Sequence, residues 1–268
     1  MLRKTSAPWI CDCWRKRKTM QPLSQNDIIL FVENHIGDFH NARLKSLQKL
    51  KLKNILKRKN PYLFRAKNIA IASDLVRLLL DAHLSSQEET LFGEFLENLA
   101  IFICEKTFGG QKSTTEGIDL SFSRDDVLYL VAIKSGPNWG NSSQLKRMKD
   151  DFTRAKRVYR TNNTQNKKIE VVNGCCYGQD DTPDKGDYFK LCGQRFWEFV
   201  SGDANLYTEI IEPVGYRAKE RNEEFVASYA RVVNAFTQEF SAEFCSSSGD
   251  INWDALVRFN SAAKPSAQ

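Results

Sequence analysis

Apolar residues recur at helical spacing along most of the chain and switch to strict alternation in one short region. From Ser24 to about Gly37, Ile28, Ile29, Val32 and Ile36 mark a helix face, with Ser24 or Asn26 as the cap. A basic helix is expected from about Asn41 to Arg58 on Leu44, Leu47, Leu50 and Ile55, and Asn60-Pro61 breaks it. Another is expected from about Ala66 to Ala82, with Ile69, Leu75, Leu78 and Leu79 inward. Ser86 and Glu89 fit a capping box that opens the next helix. Leu91, Phe95, Leu99, Phe102 and Ile103 form its apolar stripe, Glu94 and Glu97 lie outside that stripe, and Gly109-Gly110 ends it.

The period then changes from 3.6 to 2. Gly117 to Phe122 alternates, Ser123 to Asp126 is a turn candidate, and Val127 to Lys134 reads as the second strand of a hairpin. After Gly136-Pro137 a helix follows from about Ser142 to Tyr159 on Leu145, Met148, Phe152 and Ala155. Ile169 to Val172 is a third strand, ending at Gly174. Tyr188 to Val200 reads as helix, and a long helix from about Lys219 to Phe244 carries Phe225, Tyr229, Val232, Phe236 and Phe240. These aromatics suit either a subunit interface or a core. The pattern predicts an α/β fold: a small mixed β-sheet flanked by helices, with extra helices at both ends. It divides the chain into a basic, disordered extension at 1–19, with Met20 as a candidate start, a helical region at 20–83, a core at 84–215, a C-terminal helical region at 216–260 and a disordered tail at 261–268. The extension reads equally as a short basic arm that touches DNA.

Chemistry concentrates on the hairpin. Side chains alternate along a strand, so Leu130, Ala132 and Lys134 share one face. A loop from Arg124 to Val127 sets Asp119 opposite Ala132, and a tighter one sets it opposite Leu130; both leave Asp119 on the lysine face. A carboxylate and a lysine so placed can hold Mg²⁺, a hard ion that prefers oxygen ligands, and orient a water for attack on a phosphodiester. The plainer alternatives are a strand-end lysine in solvent, an edge-strand aspartate, and Glu94 and Glu97 as surface residues.

Gly117-Ile118-Asp119 with Ala132-Ile133-Lys134-Ser135-Gly136 resembles the PD-(D/E)xK core of restriction and repair nucleases. The string from Ile133 to Gln144 (IKSGPNWGNSSQ), with Asn60 to Lys67 (NPYLFRAK) and Gly193 to Trp197 (GQRFW), resembles the PmeII family of type II restriction endonucleases over roughly residues 60–215. The resemblance implies Mg²⁺-dependent cleavage of double-stranded DNA at a short specific sequence. It casts Asp119 as a Mg²⁺ ligand, the Ile133 carbonyl as another, and Lys134 as the group acting on water. It casts Ser135, Asn138, Trp139, Asn141, Ser142, Ser143, Gln144, Lys146 and Arg147 as DNA contacts. The motif's acid, two before the lysine, is Ala132 here. Either Glu94 or Glu97 on the preceding helix substitutes for it, or the protein is an inactive DNA-binding relative. A repair-type nuclease of the same fold is a further alternative, and so is an ordinary soluble enzyme with incidental basic helices. A palindromic target implies a homodimer.

Charge bears on the partner. The net charge is +6, and Lys and Arg cluster at Lys45–Lys67 and Lys146–Arg160, as phosphate backbones require and as solvated helix faces also show. Seven cysteines, with no apolar segment after the charged start, fit reduced thiols in a cytoplasm. Cys11/Cys13 and Cys175/Cys176 lack zinc-site spacing. No apolar run is long enough to span a membrane.

Overall fold

The computed structural model describes residues 23–162 and 167–263. The extension expected at 1–19 and the end of the tail, 264–268, lie outside the described residues. The helices are α1 (Gln25–Lys49), α2 (Leu52–Leu56), α3 (Pro61–Ala66), α4 (Ala72–Phe108), α5 (Ser142–Asn162), α6 (Gln194–Ser201), α7 (Leu206–Glu209), α8 (Ile211–Val214), α9 (Ala218–Phe244) and α10 (Trp253–Ser261). The strands are β1 (Gln111–Lys112), β2 (Leu120–Arg124), β3 (Val127–Lys134), β4 (Lys168–Cys175) and β5 (Phe189–Cys192). The chain forms two compact units, one from the segment up to Ile36 with Phe92–Tyr216, the other from Gly37–Leu91 with Arg217 onward.

The first unit holds the sheet, in order β1-β2-β3-β4-β5. The β1–β2 and β2–β3 pairs are antiparallel, and β3–β4 and β4–β5 are parallel, with α5 as the crossover. Met148, Phe152 and Ala155 of α5 pack on Ile118, Leu130, Ala132 and Val171 of one face. The other face carries an aromatic stack, Phe108, Phe122, Tyr129 and Phe199, with neighbouring ring centroids 5.0–5.6 Å apart. The α/β class, the small mixed sheet and the flanking helices expected from the sequence are all present.

The hairpin turn is the two residues Asp125 and Asp126, both at positive φ (50° and 60°), as a type I′ turn requires. Arg124 therefore pairs with Val127 and Leu120 with Val131, and the N–H of Asp119 donates to Val131 O at 2.9 Å. Of the two expected registers, this is the one that sets Asp119 beside Ala132.

Several expected boundaries move. Residues 188–200 are not one helix. Phe189–Cys192 adds a parallel strand to β4, and α6 begins only at Gln194, after Gly193 at φ 55°. The apolar run there suits a buried strand or a helix equally. Gly174 is required opposite: the Phe196 ring of α6 lies where its Cβ would go.

In the second unit the expected break at Ser86 does not occur. Ser86 lies within α4, where its carbonyl accepts from the Thr90 hydroxyl, and nearby Leu84 is buried against Leu47 and Phe225. Tertiary packing outweighs the local cap signal. Gly37 likewise interrupts nothing, and α1 continues to Lys49. Asn60 does punctuate the chain: its Oδ1 accepts from the N–H groups of Tyr62 and Leu63 and caps α3, with Pro61 first in the helix. Leu52, Ile55, Leu56, Phe64, Leu75 and Leu79 pack against Val233, Phe236, Phe240 and Phe244 of α9 and Leu256 of α10. The aromatic stripe of α9 is therefore core within this unit. Among the described residues, no helix is long and apolar enough to cross a membrane.

Candidate active site

The end of β3 is where the sheet gathers polar side chains. The N–H of Ile133 donates to Asp119 Oδ2 at 2.6 Å. Lys134 Nζ lies 3.8 Å from the same oxygen and donates to Ile133 O at 2.8 Å. Both side chains are partly buried, 34% exposed for Lys134 and 25% for Asp119. The pleat and the type I′ register thus bring the predicted carboxylate and lysine together on one side of the hairpin.

Lys134 Nζ also lies 5.6 Å from the centroid of the Trp139 ring. Trp139 Nε1–H donates to Asn173 Oδ1 at 3.1 Å, and Asn173, fully buried in β4, donates from Nδ2 to Ala132 O at 3.3 Å. Trp139 packs against the α5-facing core rather than standing free in the loop. Asn173 was not among the residues singled out from sequence. The available signal was a polar residue inside an apolar strand, between Val172 and Gly174.

Glu97 approaches from α4. Gly93, one turn earlier on that helix, sits so near β3 that a Cβ there would lie 3.3 Å from the Ser135 Cβ. The Glu97 carboxylate is 3.8 Å from Lys112 Nζ. Burial and then the charge of Asp119 raise its pKa above the ordinary glutamate value, while Lys112 and Lys134 pull the other way. Glu94 is exposed and acts on Glu97 through its charge. The structure brings Asp119 and Lys134 together, sets Glu97 half-buried on α4 beside Lys112, and leaves Glu94 exposed. Ala132 is 1% exposed within the α5-facing core, so an acid at that motif position would be buried among apolar groups. Burial and then the charge of Glu97 push the Cys176 thiol up to about 12, which leaves it no thiolate for nucleophilic work at neutral pH.

Among the described residues, no three His, Cys, Asp or Glu side chains are arranged to hold a metal ion. The donors present are two carboxylates, Asp119 and Glu97, and the Ile133 carbonyl. An all-oxygen set with one or two carboxylates is what Mg²⁺ accepts, since it keeps several waters and takes further oxygens from a phosphate.

The loop after β3 is braced by the one after β4. Tyr177 N–H donates to Ser135 O at 3.1 Å, and its ring occupies the space where a Gly136 side chain would be. Lys190 Nζ donates to Pro137 O at 3.0 Å and pairs with Asp180 at 3.4 Å. Asn141 caps α5: its Oδ1 accepts from Gln144 N–H at 3.1 Å, and Gln144 Oε1 accepts from Asn141 N–H at 2.9 Å. Gln144 and Asn141 are thus occupied with each other. Asn138, Ser142, Ser143 and Lys146 are exposed, and Arg147 is paired with Glu116 at 3.1 Å.

No curated protein matches the sequence. The family profile of the type II restriction endonuclease EcoO109I matches residues 26–222, a span that contains Asp119, Lys134 and Glu97. The match is to this family and not to PmeII, and the two share the type II class. A profile covering about three-quarters of the chain, over a mixed sheet flanked by helices, places the protein among endonucleases that bind DNA: it belongs to the EcoO109I family of type II restriction endonucleases.

Proposed function

We propose that this chain hydrolyses phosphodiester bonds of double-stranded DNA at a short specific sequence, with Mg²⁺, and does so at Asp119, Lys134 and Glu97. The observation that carries the proposal is the Asp119 carboxylate held between the Ile133 N–H and the Lys134 ammonium.

Asp119, Glu97 and the Ile133 carbonyl are the groups that would hold the ion. The carbonyl has two lone pairs, so donation from Lys134 leaves one available. Bound Mg²⁺ supplies an acidified water and charge stabilisation at the phosphate. Lys134, anchored on Ile133 O and set over Trp139, orients the attacking water by hydrogen bonding. Glu97 takes the place of the motif acid missing at Ala132. The Ser135–Ser143 loop and the start of α5 face the DNA, with Ser135, Asn138, Ser142, Ser143 and Lys146 as contacts, and two copies of the chain act on a palindromic site. The finer likeness to PmeII rests on the Ile133–Gln144 string together with Asn60–Lys67 and Gly193–Trp197.

Ala132 also favours a second reading, a DNA-binding protein without cleavage. Plasmid digestion with Mg²⁺, beside Lys134→Ala, separates the two. Discrete fragments that vanish in the variant support cleavage at this site. Duplex binding without fragments in the unaltered protein supports the second reading.

A further inference from the structure

The two basic stripes differ once their surroundings are known. On α5, Arg147 pairs with Glu116, Lys149 with Asp187, and Arg154 with both Glu116 and Asp151. Three of the seven α5 cations thus have carboxylate partners among the described residues, and Lys146, Lys156, Arg157 and Arg160 have none. Residues 45–67 hold nine Lys and Arg and no acid. Eight of the nine are exposed, and Lys53, with Glu243 at 2.9 Å, is the one that has a carboxylate partner among the described residues. The local reason is amphipathic: Leu52, Ile55, Leu56, Pro61 and Phe64 are buried, which turns Lys53, Lys57, Arg58 and Arg65 outward. The wider balance agrees. The unit that carries the candidate active site (1–36 and 92–216) holds twenty-two basic and twenty-one acidic residues, whereas the helical unit (37–91 and 217–268) holds seventeen basic and twelve acidic.

We infer that the outer surface of α2 and α3, with the end of α1, is where this protein grips the DNA backbone. The inference rests on duplex DNA being the substrate and assigns backbone affinity to the helical unit. Unpaired cations displace counterions from phosphates, whereas paired ones must first give up their carboxylates. Tyr62 and Leu63, exposed beside Arg65 and Lys67, add apolar contact. A backbone grip of this kind carries no sequence information.

The test is the salt dependence of binding by the full chain to a labelled duplex of arbitrary sequence, by fluorescence anisotropy in EDTA. The triple variant Lys51→Gln/Lys57→Gln/Arg58→Gln should lose about one unit of log–log salt slope per cation removed. Arg147→Gln/Lys149→Gln/Arg154→Gln on α5 should keep the wild-type slope. An unchanged slope in the first variant, an equal loss in the second, or tighter binding to phosphatidylserine vesicles than to duplex overturns the inference. Plasmid cleavage keeps the two proposals apart. Fragments with an unchanged slope in the first variant remove only the gripping surface, whereas a reduced slope with no fragments from wild type removes only the cleavage.

Discussion

Trp139 donates its indole N–H to the buried Oδ1 of Asn173 at 3.1 Å and so fixes the ring beside which the Lys134 ammonium sits. Trp139→Phe keeps an aromatic face but leaves a buried amide oxygen without this donor, at a cost of about 1–3 kcal/mol in unfolding free energy. Urea denaturation measures it. Adding Asn173→Leu should recover part of the loss, because removing both partners costs less than orphaning one.

Asp119→Asn and Lys134→Gln should each lower the cleavage rate by about 10²–10⁴-fold, the usual contribution of a positioned acid–base group. Duplex affinity in EDTA should change little, since the two side chains already face each other. Equal loss of binding and cleavage would place these residues in DNA holding instead.

The raised pKa of Glu97 gives a pH signature. Its ionised form is disfavoured in the folded chain, so the folded protein loses stability as pH rises from the ordinary glutamate value through the raised one. Glu97→Gln should therefore melt higher than wild type at neutral pH, and the difference should vanish below the ordinary glutamate range. Mg²⁺ should raise the wild-type melting temperature more than that of Glu97→Gln. Glu94→Gln, on the exposed side, should still cleave.

Gly136→Ala would drive a methyl into the Tyr177 ring beside Ser135. Overpacking of this kind costs about 1–3 kcal/mol. Removing the ring with Tyr177→Ala in the same chain should restore most of the thermal stability, as read by calorimetry.

Much of this arrangement was legible in sequence because it depends on short-range rules. The two-residue period of a strand puts Asp119 and Lys134 on one side once the turn is located, and Asn141 and Gln144 have cap spacing. Other parts depend on distant residues. Spacing cannot separate Glu94 from Glu97, one turn apart, and only the approach of Gly93 to Ser135 distinguishes them. Asn173 has its indole partner 34 positions earlier. Ser86 carries a cap signal, but neighbouring Leu84 packs on Leu47 and Phe225, and the helix runs on. β5 is four residues long and flows into α6, so no change of period announces it.

The Asp125-Asp126 turn lies at the far end of the hairpin from Lys134, yet it governs which residues become neighbours there. Two aspartates in the left-handed region carry a conformational cost that glycine would avoid. With only two linking residues, the ribbon has no slack to slide. Adding a single residue would shift the pairing by one step and turn Asp119 toward the aromatic side of the sheet, where Phe122 and Phe199 already sit. Evolution is thus freer to alter the chemistry of these two positions than their number.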